Sequence, residues 1–185
     1  TGGGPGGTYL NGGPFVADVM ETIPDGLQGT AIPGGVSFIT FCLELSEDFD
    51  YNIAYNYTID PFATGGGVDS DNPGDGKDYL AAESAWLYLQ YRQGIAGFTN
   101  AKAIQAALWA LEEEKAFGSG IPSIEAIAAG YITAAQTAVL GGWKNYGQVA
   151  VINLYDAAGN EKQSMVGFVP EPGTLLLLSL GLLGF

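Results

Sequence analysis

The 185-residue chain predicts an α+β fold: a β-sandwich or barrel carrying a three-helix insertion, followed by an apolar C-terminal tail. Three observations lead there. Alternating apolar stretches stand near both ends of the chain, helical periodicity fills the middle, and the last residues are apolar and uncharged. Hydrophobic residues make up 47% of the chain, which excludes a disordered protein and fits a single core of ordinary size.

Residues 1–14 hold seven glycines and two prolines around Tyr9 and Leu10, and so little that a core can use that they read as a flexible arm. The globular domain is expected over 15–169, and it opens with a strand over 15–21. Strands over 36–45 and 50–59 follow. In the second of these, Tyr51, Tyr55 and Tyr57 share a face by strand parity, as one side of a core or of a subunit contact. Helical patterns run over 78–92, 99–116 and 123–139, with Asp78 as the expected N-cap of the first. Strands over 148–156 and 163–169, joined by the turn sequence Ala157-Ala158-Gly159-Asn160, close the domain. Residues 170–185 form a separate tail.

Charge and composition exclude several functions. The chain has 20 acidic residues against 6 basic ones, with Arg92 its one arginine, so no cationic stripe for nucleic acid exists. It has no histidine, which removes the commonest general base and the commonest zinc ligand. No nucleotide-binding loop is present, and the sequence calls for no organic cofactor and no enzymatic activity. Oxygen ligands are another matter. Asp69, Asp71, Asp75 and Asp78 lie among glycines in the manner of a calcium loop, although Pro73 and Leu80 stand where an EF-hand would place ligands. The simpler expectation is an exposed acidic loop leading into the first helix.

Cys42 is the single cysteine, so an internal disulfide is impossible. It lies in Ser37-Phe38-Ile39-Thr40-Phe41-Cys42-Leu43-Glu44-Leu45, a strand pattern with a buried outlook. In the second helix Ile104, Ala107, Leu108 and Leu111 make an apolar stripe, and Gln105 lies beside it. A glutamine beside a core needs a partner. Together, an aromatic-Cys strand and a helix of the form Gln-x-Ala-x-Trp-x-Leu resemble the thioester domains of bacterial surface adhesins. That resemblance implies an internal thioester in which Cys42 supplies the sulfur and Gln105 the acyl group. Ile104 stands where those adhesins usually carry Thr. The chemistry needs a dry, ordered site and a carboxyl group to move protons. Glu44, which shares strand parity with Cys42, and Glu112 are the nearest candidates in sequence. Glu113 and Glu114 read as a solvated helix end.

Pro170-Glu171-Pro172 precedes an uncharged run from Thr174 to Phe185, and this arrangement resembles the C-terminal sorting signal of PEP-CTERM proteins. The resemblance implies export by an exosortase to the bacterial surface or exterior, with membrane contact only in transit. As a helix, residues 174–185 would reach roughly 18 Å against roughly 30 Å of bilayer hydrocarbon, too short to span it. The chain starts at Thr1 without a signal-peptide core and lacks a terminal basic cluster, so a form trimmed at both ends is expected. The resulting expectation is an extracellular structural protein. It would assemble with its own copies through the apolar tail and carry the thioester as an internal staple. The alternative is an adhesin whose thioester captures amines on a surface.

Overall fold

The computed structural model describes residues 13–18, 37–64, 76–114, 121–145 and 147–168. The N-terminal arm up to residue 12, the aspartates Asp69, Asp71 and Asp75, and the tail over 169–185 lie outside them. The fold is α+β. The described residues form seven strands and three helices in the order β1 (Phe15–Asp18), β2 (Ser37–Cys42), β3 (Asn56–Asp60), β4 (Phe62–Thr64), β5 (Lys77–Tyr79), α1 (Ala82–Arg92), α2 (Ala101–Leu111), α3 (Pro122–Leu140), β6 (Val149–Tyr155) and β7 (Glu161–Phe168).

Five strands form one antiparallel sheet in the order β1-β2-β7-β6-β3, and β4 and β5 form a separate two-stranded ribbon. Among the described residues β1 and β3 are the edges of the larger sheet, which is not a closed barrel, one of the two arrangements expected. β7 is the middle strand, and five consecutive buried residues from Gln163 to Gly167 show that it is covered on both faces. Such a run hides the alternation that would have marked the strand in sequence. The β6–β7 hairpin closes through Asp156, whose carboxylate accepts from the backbone N–H groups of Ala158 and Asn160, both at 2.9 Å. The turn expected over 157–160 is thus present. Tyr51 falls in a turn and Tyr55 before β3, so only Tyr57 of the expected tyrosine face belongs to a strand.

Helix α2 is the structural centre. Asn100 caps it by accepting the Ala103 N–H at 3.1 Å, and every residue from Ala103 to Trp109 is buried. A helix buried all round must have neighbours on several sides. It packs against α1 and α3. Small residues at Ala103, Ala107, Ala128 and Ala135 are buried in the same core and let the backbones come close. Burying the Ile104 and Leu108 side chains contributes about 1.5–3 kcal/mol each. The Tyr88 hydroxyl of α1 donates to the Ile39 carbonyl of β2 at 2.6 Å, and Arg92 stacks on the Phe168 ring of β7 at 3.7 Å. These contacts fasten the helices to the sheet.

Two expectations at the start of α1 are corrected. Asp78 sits in β5, opposite Ala63, and is not a helix cap. The N-cap position belongs to Ala81, whose backbone N–H reaches Glu112 Oε2 at 3.4 Å. A carboxyl group from the far end of α2 thus serves the positive end of α1. The short strands β4 and β5 were not foreseen, because three residues are too few to show a period. Among the described residues no helix is long and apolar enough to cross a membrane.

Candidate functional site

Strand geometry decides what Cys42 offers to its surroundings. In an antiparallel strand the N–H and C=O of one residue point to the same side, and successive residues alternate. Leu43 donates its N–H to the Ser164 carbonyl of β7 at 2.9 Å, so the polar groups of Cys42 face away from β7. They face the side of β1, but the β1–β2 pairing ends at Phe15 opposite Thr40. Among the described residues no strand pairs with Cys42 on that side.

Gln105 fills that place. The Cys42 N–H donates to Gln105 Oε1 at 3.2 Å, and Gln105 Nε2 donates to the Cys42 carbonyl at 2.7 Å. A carboxamide has the donor and acceptor of a peptide group, so it completes the ladder as a strand would. Its orientation is fixed, since flipping it would set donor against donor. Cys42 is 5% exposed and Gln105 fully buried. Gly13 packs over the pair at φ +138°, where an added Cβ would lie 2.7 Å from Phe41 Cδ1 and 3.1 Å from Gln105 Oε1. The structure therefore brings together the strand cysteine and the helix glutamine that the sequence singles out.

The thiol environment is apolar and acidic. Burial raises the Cys42 pKa far above the ordinary thiol range, and the neighbouring Glu47 charge adds to the effect. The thiol stays protonated. Glu47, which sequence reasoning missed, is the carboxyl group that acts on it. Glu47 Oε2 accepts the Ser164 N–H at 2.8 Å, yet burial still lifts its pKa from 4.5 to about 7.

Glu44 and Glu112 belong to a second cluster. Glu44 is 1% exposed and Glu112 4% exposed; among the described residues no N–H group donates to either oxygen of Glu44, whose side-chain partner is the Glu114 carboxyl. Ligand oxygens of Glu44, Asp78 and Glu114 all lie within 4.8 Å of one another. Burial, then the charges of Glu114, Asp78 and Glu47, lifts the Glu44 pKa to about 9. Burial also lifts Glu112 to about 8, against a lowering by Ser84, with Asp78 and Glu114 pushing it further up. Glu114 is no solvated helix end. After the cap residue Glu112, Glu113 takes a left-handed φ of 60°, which turns the chain so that Glu114 Oε2 accepts the Leu45 N–H at 2.9 Å. Of the four aspartates weighed as a calcium loop, Asp78 alone is described, and it joins this cluster. Nothing in the sequence spacing pairs Glu114 with Glu44.

No curated protein and no solved structure matches the chain. Residues 168–185 match the PEP-CTERM protein-sorting motif, which contains Pro170, Glu171 and Pro172. The chain therefore carries the sorting signal of exosortase-dependent proteins and is one of those exported to the cell surface or the extracellular space.

Proposed function

We propose that this chain is a non-enzymatic structural subunit of an extracellular filament or matrix, and that Cys42 and Gln105 join as a thioester stapling β2 to α2. The observation that carries the staple is the paired hydrogen bonding between the Gln105 carboxamide and the Cys42 backbone. The carboxamide lies across the peptide groups on either side of the Cys42 Cα. The staple requires the sulfur, two bonds from that Cα, to reach the carboxamide carbon.

In the reaction the Sγ–Cδ bond forms and the Cδ–Nε2 bond breaks. The thiol proton passes to the departing nitrogen, which leaves as ammonia, and nothing is oxidised. The Cys42 N–H points at Oε1, where negative charge develops in the tetrahedral intermediate. The bond from Nε2 to the Cys42 carbonyl orients the leaving group. A thiol held protonated needs a base, and Glu47, with a pKa near neutrality, suits proton transfer better than Glu44 or Glu112. Full burial of Gln105 keeps water and amines from the site, which favours a staple over an adhesin that captures amines.

Self-assembly rests on the uncharged apolar stretch from Thr174 to Phe185 and on Tyr57 and Ile59, about half exposed on the edge strand β3. An uncovered edge with apolar side chains is suited to joining another copy. Thiol labelling of denatured protein, after treatment with a phosphine that reduces disulfides but spares thioesters, tests the staple. The proposal expects no labelled Cys42; full labelling contradicts it.

A further inference from the structure

Three segments distant in sequence converge on one acidic point. Glu44 follows β2, Asp78 is the centre of β5 and Glu114 follows α2, and their oxygens lie within 4.8 Å of one another. The α2 C-terminus contributes its own negative partial charge there, and its last turn has no basic residue. Like charges at such spacing repel strongly when buried. The groups acting on Glu44 are all acidic: Glu114, Asp78 and Glu47. Lys115, next in sequence to Glu114, lies outside the described residues. At a position 1% exposed, no N–H group of a described residue donates to either oxygen of Glu44, and its side-chain partner is another acid, the Glu114 carboxyl. A buried carboxyl group that faces two others and has only an acid for a partner is what a cation site needs.

We propose that Glu44, Asp78 and Glu114 form a calcium site that ties the end of β2, the β4–β5 ribbon and the C-terminal end of α2 together. The donors are all carboxylate oxygens, which selects a hard cation over zinc or copper. Ligand oxygens within 4.8 Å of one another can all reach one calcium ion, whose flexible shell of six to eight oxygens accepts an irregular set more readily than the octahedron magnesium demands. Three carboxylates offer up to six oxygens, and Glu112 Oε1 lies in the same acidic neighbourhood. An exported protein meets calcium at concentrations that weak extracellular sites use. The site is independent of the thioester.

The test uses the full chain, stripped with EDTA and desalted, in thermal unfolding and calorimetric titration with calcium chloride or magnesium chloride near neutral pH. Saturating calcium is expected to raise the midpoint by roughly 5 °C, and magnesium by less. Glu44→Gln, which removes a buried charge and should fold, is expected to abolish the response, with Glu114→Gln as a second probe. A triple change of Asp69, Asp71 and Asp75 to Asn should leave the response intact. No calcium binding by the wild-type chain would overturn the proposal. So would an unchanged response in both Glu variants, or its loss in the triple variant.

Discussion

Gln105 does for β2 what a neighbouring strand would do, and its replacement has a definite cost. Gln105→Leu would leave the buried N–H and C=O of Cys42 without partners. In the Cys42→Ala background, where the carboxamide stays intact, we expect this change to cost about 2–6 kcal/mol in denaturant unfolding, from two unsatisfied groups at about 1–3 kcal/mol each. Cys42→Ala separates the staple from simple packing. Loss of a cross-link closing a loop this long is expected to cost about 3 kcal/mol or more, by analogy with disulfides, whereas loss of a small buried side chain costs about 1 kcal/mol. Gly13→Ala should also destabilise, by about 1–3 kcal/mol, because its φ of +138° and the Phe41 ring leave no room for a Cβ. At this scale the pair was legible because strand parity and helix periodicity each mark a residue. Glu47 and Glu114 were not, because their positions follow from a bend after β2 and a left-handed residue after α2, which no periodicity shows.

At the scale of elements, the ribbon is held to the sheet by Tyr155, whose hydroxyl bonds Thr64 Oγ1 at 3.2 Å, and above all by Asn153. Asn153 of β6 accepts from the Thr64 N–H at 3.2 Å and the Ser164 hydroxyl at 2.8 Å. It donates to Asp60 Oδ2 and the Phe62 carbonyl, both at 3.1 Å. With all its bonds made in a buried position, Asn153→Ala is expected to cost about 2–4 kcal/mol and to free β4 first, read as faster amide exchange at Thr64. Glu47 gives β2 a pH dependence. Its pKa is raised in the folded state, so its contribution is fully present below about 4.5 and is lost as pH rises through about 7. In the chelator-treated protein, stability should therefore fall across that interval, and Glu47→Gln should flatten the fall. A Glu47→Gln profile identical to wild type would remove Glu47 from the account. The helices were legible to within a few residues. The β4–β5 ribbon was hidden by its shortness, and the start of α1 by a cap that comes from Glu112, distant in sequence.

For the whole molecule, a sorting signal delivers the chain to an exterior where a lone thiol is exposed to oxidation, and the fold places that thiol in a dry interior. The α+β class was legible, but between the sandwich and the barrel that were expected the sequence could not choose, because closure depends on which strands pair, and pairing is not written in local pattern. In the proposed assembly, the edge at β3 and the apolar C-terminal segment would join copies. Deleting residues 174–185 is expected to leave the domain folded, with an unchanged circular dichroism spectrum, while abolishing large species in sedimentation; assembly that persists would place the contacts on the domain surface. The central claim, a covalent bond between β2 and α2, is tested most directly by the intact mass of denatured, unreduced protein. The account predicts a mass one ammonia below the sequence value, unchanged by prior exposure of the folded protein to methylamine. The full sequence mass would contradict it, leaving Cys42 and Gln105 joined by hydrogen bonds alone.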